Sequence, residues 1–114
     1  MIYKQCIDAC MDTTKACDRL SGEGCEKSKE CHPAHCHSIL AAEVCTLVGR
    51  LTAKGICHKE LFDICAKICD ECGEKCKSID HEYAKDCADA CKNCAEKCRT
   101  CSEDCKDNKC CSTL

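Results

Sequence analysis

The chain has 114 residues, a net charge of −3 and 20 cysteines, against one Phe, two Tyr and no Trp. That is length for one domain with one core, yet too little bulky hydrocarbon to fill it. Lys and Glu are interspersed without a basic patch, which argues against nucleic acid. The longest apolar run, Ile39 to Val44 with one Glu, is too short to span a membrane.

The first predicted helix covers about 2–20. Cys6, Cys10, Thr13, Cys17 and Leu20 follow each other by four and three residues, the period that keeps one stripe of a helix on a bundle interior. Ser21-Gly22-Glu23-Gly24 is expected to stop it. An insert over 21–33 follows, irregular from Cys25 onward, and it leads into Cys31-His32-Pro33-Ala34-His35-Cys36-His37. Pro33 suits the first turn of a new helix.

The second helix is predicted over about 34–54, with Gly55 behind the closing Lys54 as its C′ residue. Its inward stripe is Ala41, Cys45 and Val48. A parallel stripe of Leu40, Val44, Leu47 and Leu51 is taken as the rest of a wide buried face, with an oligomer surface as the alternative. The third helix, about 57–77, carries the seam His58, Phe62, Cys65, Cys69, Cys72 and Cys76. Ser78-Ile79-Asp80 makes the next turn, with Asp80 as candidate N-cap. The fourth helix, about 80–106, is the densest: Cys87, Cys91, Cys94, Cys98, Cys101 and Cys105 occupy every seam position, and residues 107–111 are expected to fray. Four helices with short connections give an all-α antiparallel up-down-up-down bundle with a cysteine-lined core. The whole of 1–114 is read as one metal-binding domain.

Composition alone suggests a secreted disulfide scaffold. Spacing opposes it. Residues three or four apart on a helix hold their Cβ atoms about 5–6 Å apart, whereas a disulfide needs about 3.5–4.5 Å. The start, Met1 to Cys6, also lacks an apolar leader core. The expectation is a cytoplasmic protein in a reducing compartment, where dense cysteine signals metal.

Six CxxxC pairs occur, at 6/10, 65/69, 72/76, 87/91, 94/98 and 101/105. Each stacks two sulfurs on one helix face, so four such faces enclose a tube of about fourteen thiols, with Cys57 able to join. Leu at these positions would stabilise a metal-free core by roughly 1–3 kcal/mol more per site, so packing alone does not account for six consecutive thiols. Thiolates select Cu(I), Zn(II) or iron–sulfur clusters. The second helix offers one inward thiol, so a layer usually supplies three sulfurs at most, short of the four that structural zinc takes. Stacked four-thiolate zinc sites would also repel by roughly 4 kcal/mol per close unit-charge pair. One Cu(I) per displaced thiol proton leaves the core neutral. Several Cu(I) ions per chain are therefore expected, bound at the seam with Cys36, His35 and His81 at one end. That end collects His32, His35, His37 and His81, and is expected to admit the metal. No catalytic triad, carboxylate pair or phosphate loop indicates an enzyme. An iron–sulfur or zinc-thiolate protein and a disulfide-linked helical scaffold are the alternatives.

The sequence resembles the bacterial copper storage proteins, cysteine-rich four-helix bundles. The matching pieces are Cys6-Ile7-Asp8-Ala9-Cys10, the segment Cys45 to Gly55 with Leu47 and Leu51, the block Cys65 to Cys76, Cys87-Ala88-Asp89-Ala90-Cys91 through Cys98, and His81 ahead of Cys87. It departs from that pattern at Thr13, Leu20 and Ala41, in the insert from Cys25 to His37, and in the Cys110-Cys111 tail. The resemblance implies storage of many Cu(I) ions, a cytosolic homotetramer and exchange with a copper donor or acceptor protein.

Overall fold

Between Glu82 and Cys105 lie four alanines and a run of Lys and Glu, with no Gly or Pro, so nothing interrupts helix propagation. The computed structural model describes residues 1–105 and the backbone of 109–110. It contains four long helices: α1 (Ile2–Arg19), α2 (His35–Ala53), α3 (Lys59–Lys77) and α4 (Glu82–Asp104). Each packs against its two neighbours in a square, α1 with α2 and α4, α3 with α2 and α4. A longer connection over 20–34 and two short ones make them run up, down, up, down. The bundle is 44 Å long and about 20 Å wide.

The connection between α1 and α2 departs from expectation. Ser21 to Gly24 do not stop the helix: Leu20–Gly24 widen into a π-helical turn, and Cys25–Lys27 form one further helical turn. Leu20 is fully buried and holds the chain against the core. Gly24 permits this, because a Cβ there would sit 3.2 Å from Leu20 and 3.3 Å from Tyr83. Residues Lys29–Ala34, expected to be irregular, form a 3₁₀ helix capped by Ser28, whose hydroxyl accepts from the Glu30 N–H. Pro33 lies inside that helix, and α2 starts two residues later.

At the other connections, Gly55 follows the Lys54 cap with φ 87°, a left-handed conformation that closes α2. The N-cap of α4 is His81, not Asp80: its Nδ1 accepts from the Tyr83 N–H at 3.1 Å. Past α4, the backbone of Lys109–Cys110 pairs antiparallel with Ile56–Cys57 where fraying was expected; Asp107, Asn108 and Cys111 lie outside the described residues.

The inward stripe of α2 is buried as predicted, with Ala41, Cys45 and Val48 at 0–2% exposure. The second stripe joins the core only in part, with Val44 packed against it. Leu40 and Leu47 are 50% and 47% exposed, and Val44 and Leu51 are half-buried. A bundle whose interior is cysteine and alanine is narrow, so α2 meets it along a thin seam and turns its leucines outward. Bulky hydrocarbon gathers instead at the two ends: Leu20 is fully buried at one, and Phe62, 1% exposed, lies beside Tyr3 at the other. The Tyr3 hydroxyl donates to Asp104 at 2.6 Å, closing that end.

Candidate metal centre

Heptad spacing on α1, α3 and α4 directs one thiol stripe of each helix to the bundle axis. Cys6, Cys10, Cys17, Cys45, Cys65, Cys69, Cys72, Cys76, Cys87, Cys91, Cys94, Cys98 and Cys101 all have zero exposure, and Cys105 has 3%. All of these are free thiols. Cys57 is equally buried but disulfide-bonded, which sets it apart from the seam. Its backbone carbonyl accepts from the Cys105 thiol at 3.4 Å. Cys36 and His35 face solvent and His81 is half-buried. Two thiols that spacing did not assign, Cys25 and Cys31, are buried in the α1–α2 connection, where no heptad continues to point them inward.

Three groups of four sulfurs form, each with all members within 4.8 Å of one another: Cys10, Cys65, Cys94 and Cys98; Cys45, Cys65, Cys69 and Cys94; and Cys17, Cys72, Cys87 and Cys91. The expectation of three sulfurs per layer does not hold. A CxxxC step on α4 contributes two sulfurs to a group, so α2 need give none. The first two groups share Cys65 and Cys94. A shared thiol cannot close two independent tetrahedra, so the arrangement suits bridging thiolates and several small soft ions better than isolated zinc sites.

Within the seam, contacts between helices are as short as those along one. Cys17 and Cys87 are 3.0 Å apart and Cys45 and Cys69 3.4 Å, while the same-helix pairs Cys94/Cys98 and Cys72/Cys76 lie at 3.9 and 4.0 Å. These are hydrogen-bond distances for thiols. They also divide the sulfurs by charge preference. Hydrogen bonds from Cys45, then Cys65 and Cys91, hold the Cys69 thiol down at about 6. Cys94 is lowered by Cys10, Cys45, Cys65 and Cys69, and Cys72 by Cys17, Cys76, Cys87 and Cys91. Their partners move the other way: Cys91, Cys98 and Cys101 rise because each donates to a neighbour, Cys17, Cys10 and Cys6 first, and is also desolvated. Cys76 is pushed up to about 12, chiefly by Cys72. The thiols of a metal-free group thus hold their protons unequally, and each arriving cation displaces protons from them.

The histidines end up at different stations. His81 uses Nδ1 to cap α4 and lies edge-on to Tyr83, ring centroids 5.2 Å apart, while Arg19 covers the Tyr83 ring at 4.1 Å. The Nε2 of His32 lies 2.9 Å from the Cys25 carbonyl. His37 keeps a buried Nδ1 with no hydrogen-bond partner among the described residues.

A thiol-cored four-helix bundle with overlapping four-sulfur groups defines a class of protein built to hold soft cations inside its helices. The chain belongs to the copper storage protein family, whose profile matches residues 2–110. It is 37% identical over 88 residues to the uncharacterized cysteine-rich protein YhjQ of Bacillus subtilis (strain 168), covering 75% of this chain and 82% of that one. Its fold is similar to the Cu(I)-bound copper storage protein BsCsp3, with TM-score 0.81 and 31% identity over 90% of this chain and 99% of that one. It is also similar to apo-Csp3, copper storage protein 3 from Bacillus subtilis, with TM-score 0.77 and 32% identity over 87% and 97%.

Proposed function

We propose that this protein binds and stores many Cu(I) ions, on the order of one per seam thiol, and catalyses nothing. The observation that carries the reading is the overlap of the four-thiol groups through Cys65 and Cys94. Shared sulfurs let one thiolate serve two ions, and one positive charge per lost proton keeps a fully buried core neutral. The ligands are the seam thiols of α1, α3 and α4 together with Cys45. Cys57 joins only when reduced, and Cys36 and His35 act at the surface.

The end bearing His35, His37 and His81 is the entrance. Imidazole binds Cu(I) less tightly than thiolate and so hands the ion on to the seam. A cytoplasmic homotetramer exchanging copper with a donor or acceptor protein completes the reading. The exposed Leu40, Leu47 and Ile64 supply apolar surface on which copies can meet. Among the described residues no helix is long and apolar enough to cross a membrane.

Anaerobic titration of reduced protein with Cu(I) against a chromophoric chelator, followed by metal analysis, tests the storage reading. The loaded protein is expected to be colourless and to hold on the order of ten ions per chain. Saturation at one or two ions, or a brown iron-containing protein as purified, overturns it.

A further inference from the structure

We infer that Thr13 narrows the thiol core between two copper compartments, five thiols towards the histidine end and eight beyond. The inference rests on the storage reading above.

Sulfur–sulfur contacts within 4.0 Å sort the thiols into two sets. Cys17, Cys72, Cys76, Cys87 and Cys91 are linked through 17/87, 17/91, 72/87 and 72/76 at 3.0–4.0 Å. Cys6, Cys10, Cys45, Cys65, Cys69, Cys94 and Cys98 are linked through 6/98, 10/94, 94/98, 45/65, 45/69 and 45/94 at 3.4–3.9 Å. Cys101 joins them beside Cys6. Among the described residues no thiol–thiol contact of this kind joins the two sets. The longer Cys69–Cys91 hydrogen bond, between α3 and α4, is the one link that crosses between the sets among the described residues. The four-sulfur groups obey the same partition: the two that share members both lie in the larger set, and the third shares none.

Thr13 occupies the level between them. It is fully buried, and its hydroxyl lies 2.9 Å from the Ala9 carbonyl on its own helix and 3.0 Å from the Ala90 carbonyl of α4. The oxygen is therefore committed to backbone carbonyls, and a hard hydroxyl is a poor ligand for Cu(I) in any case. Without a thiol there, the step along α1 from Cys10 to Cys17 spans seven residues, about 10 Å, roughly twice the distance between ordinary seam neighbours. The α2 helix does not fill the gap. Thr14 lies against the Ala42 carbonyl at this level, and Ala41 and Ala42 are the buried residues there. Two of the four walls thus carry no sulfur at one height. The thiolate path along the tube narrows there to the Cys69–Cys91 step between α3 and α4, so the five-thiol compartment exchanges with the outside faster than the eight-thiol compartment.

Removal of Cu(I) from fully loaded, reduced protein by excess chelator reads the partition directly. Wild type is expected to release about two-fifths of its copper in a fast phase and the rest at least tenfold more slowly, if occupancy follows thiol number. Thr13→Cys should merge the phases and add about one ion, whereas Thr13→Val should keep them separate. Cys17→Ser with Cys87→Ser should delete most of the fast phase and leave the slow one intact, which decides the matter if Thr13→Cys fails to fold. A single release phase in fully loaded wild type overturns the partition alone. So do unchanged phases in folded Thr13→Cys, or equal erosion of both phases by the double replacement. Protein that takes up no Cu(I) overturns the storage reading as well.

Discussion

Replacing Cys94 by Ala removes a sulfur that belongs to two of the three four-thiol groups. Its Sγ lies 3.7 Å from Cys10, 3.8 Å from Cys45 and 3.9 Å from Cys98. In the metal-free bundle the loss is one buried methyl-sized atom, about 1 kcal/mol, or about 4 °C in Tm for a chain of this size. In the loaded bundle the effect is larger than one site. Charge balance alone removes one Cu(I), because one fewer thiolate is present. Both groups also fall to three sulfurs, so a second ion loses its bridge, and the expected loss is about two ions. Cys36→Ala is the control, since Cys36 is exposed and outside the three groups; it should cost one ion at most. Both proteins would be titrated anaerobically against a Cu(I) chelator after circular dichroism has shown equal helix content. Equal capacity in the two variants would refute the idea that shared sulfurs hold the cluster together.

Cys91, Cys98 and Cys101 have folded-state pKa values raised above the usual 9.0, so their stabilisation is complete below pH 9. It is lost as pH rises, because the unfolded chain sheds those protons first, at about 1.4 kcal/mol per thiol per pH unit. The Tm of reduced, metal-free protein should therefore fall clearly between pH 8.5 and 10; a flat profile would count against the protonated thiol network. His81→Ala should cost about 1 kcal/mol by removing the α4 cap and should slow copper loading without lowering final capacity. His81→Asn restores the cap but not the imidazole, so wild-type loading by that variant would reduce His81 to a purely structural residue. Changing both Leu40 and Leu47 to Lys alters exposed positions and should leave helix content intact while shifting the protein to a smaller species by analytical ultracentrifugation. An unchanged sedimentation coefficient would place any association elsewhere.

Periodicity was enough to find the helices and their buried thiols. The four-three steps from Cys87 to Cys105 and from Cys65 to Cys76 leave only one face for sulfur, and any helix bundle must bury that face. Helix ends were less legible. Two glycines look like a stop, yet the burial of Leu20 keeps the chain helical through them, an effect of distant packing that local propensity does not contain. His81 displaced Asp80 as the cap because the turn brings its Nδ1, not the carboxylate, to the Tyr83 N–H. Which sulfurs meet was beyond the sequence altogether. Spacing fixes neighbours along one helix, but the sharing of Cys65 and Cys94, and the fact that the Cys17 group shares no sulfur with the other two, depend on the axial stagger between helices. That stagger is set by how small side chains let neighbouring helices settle against each other, and it exists only once the bundle has packed.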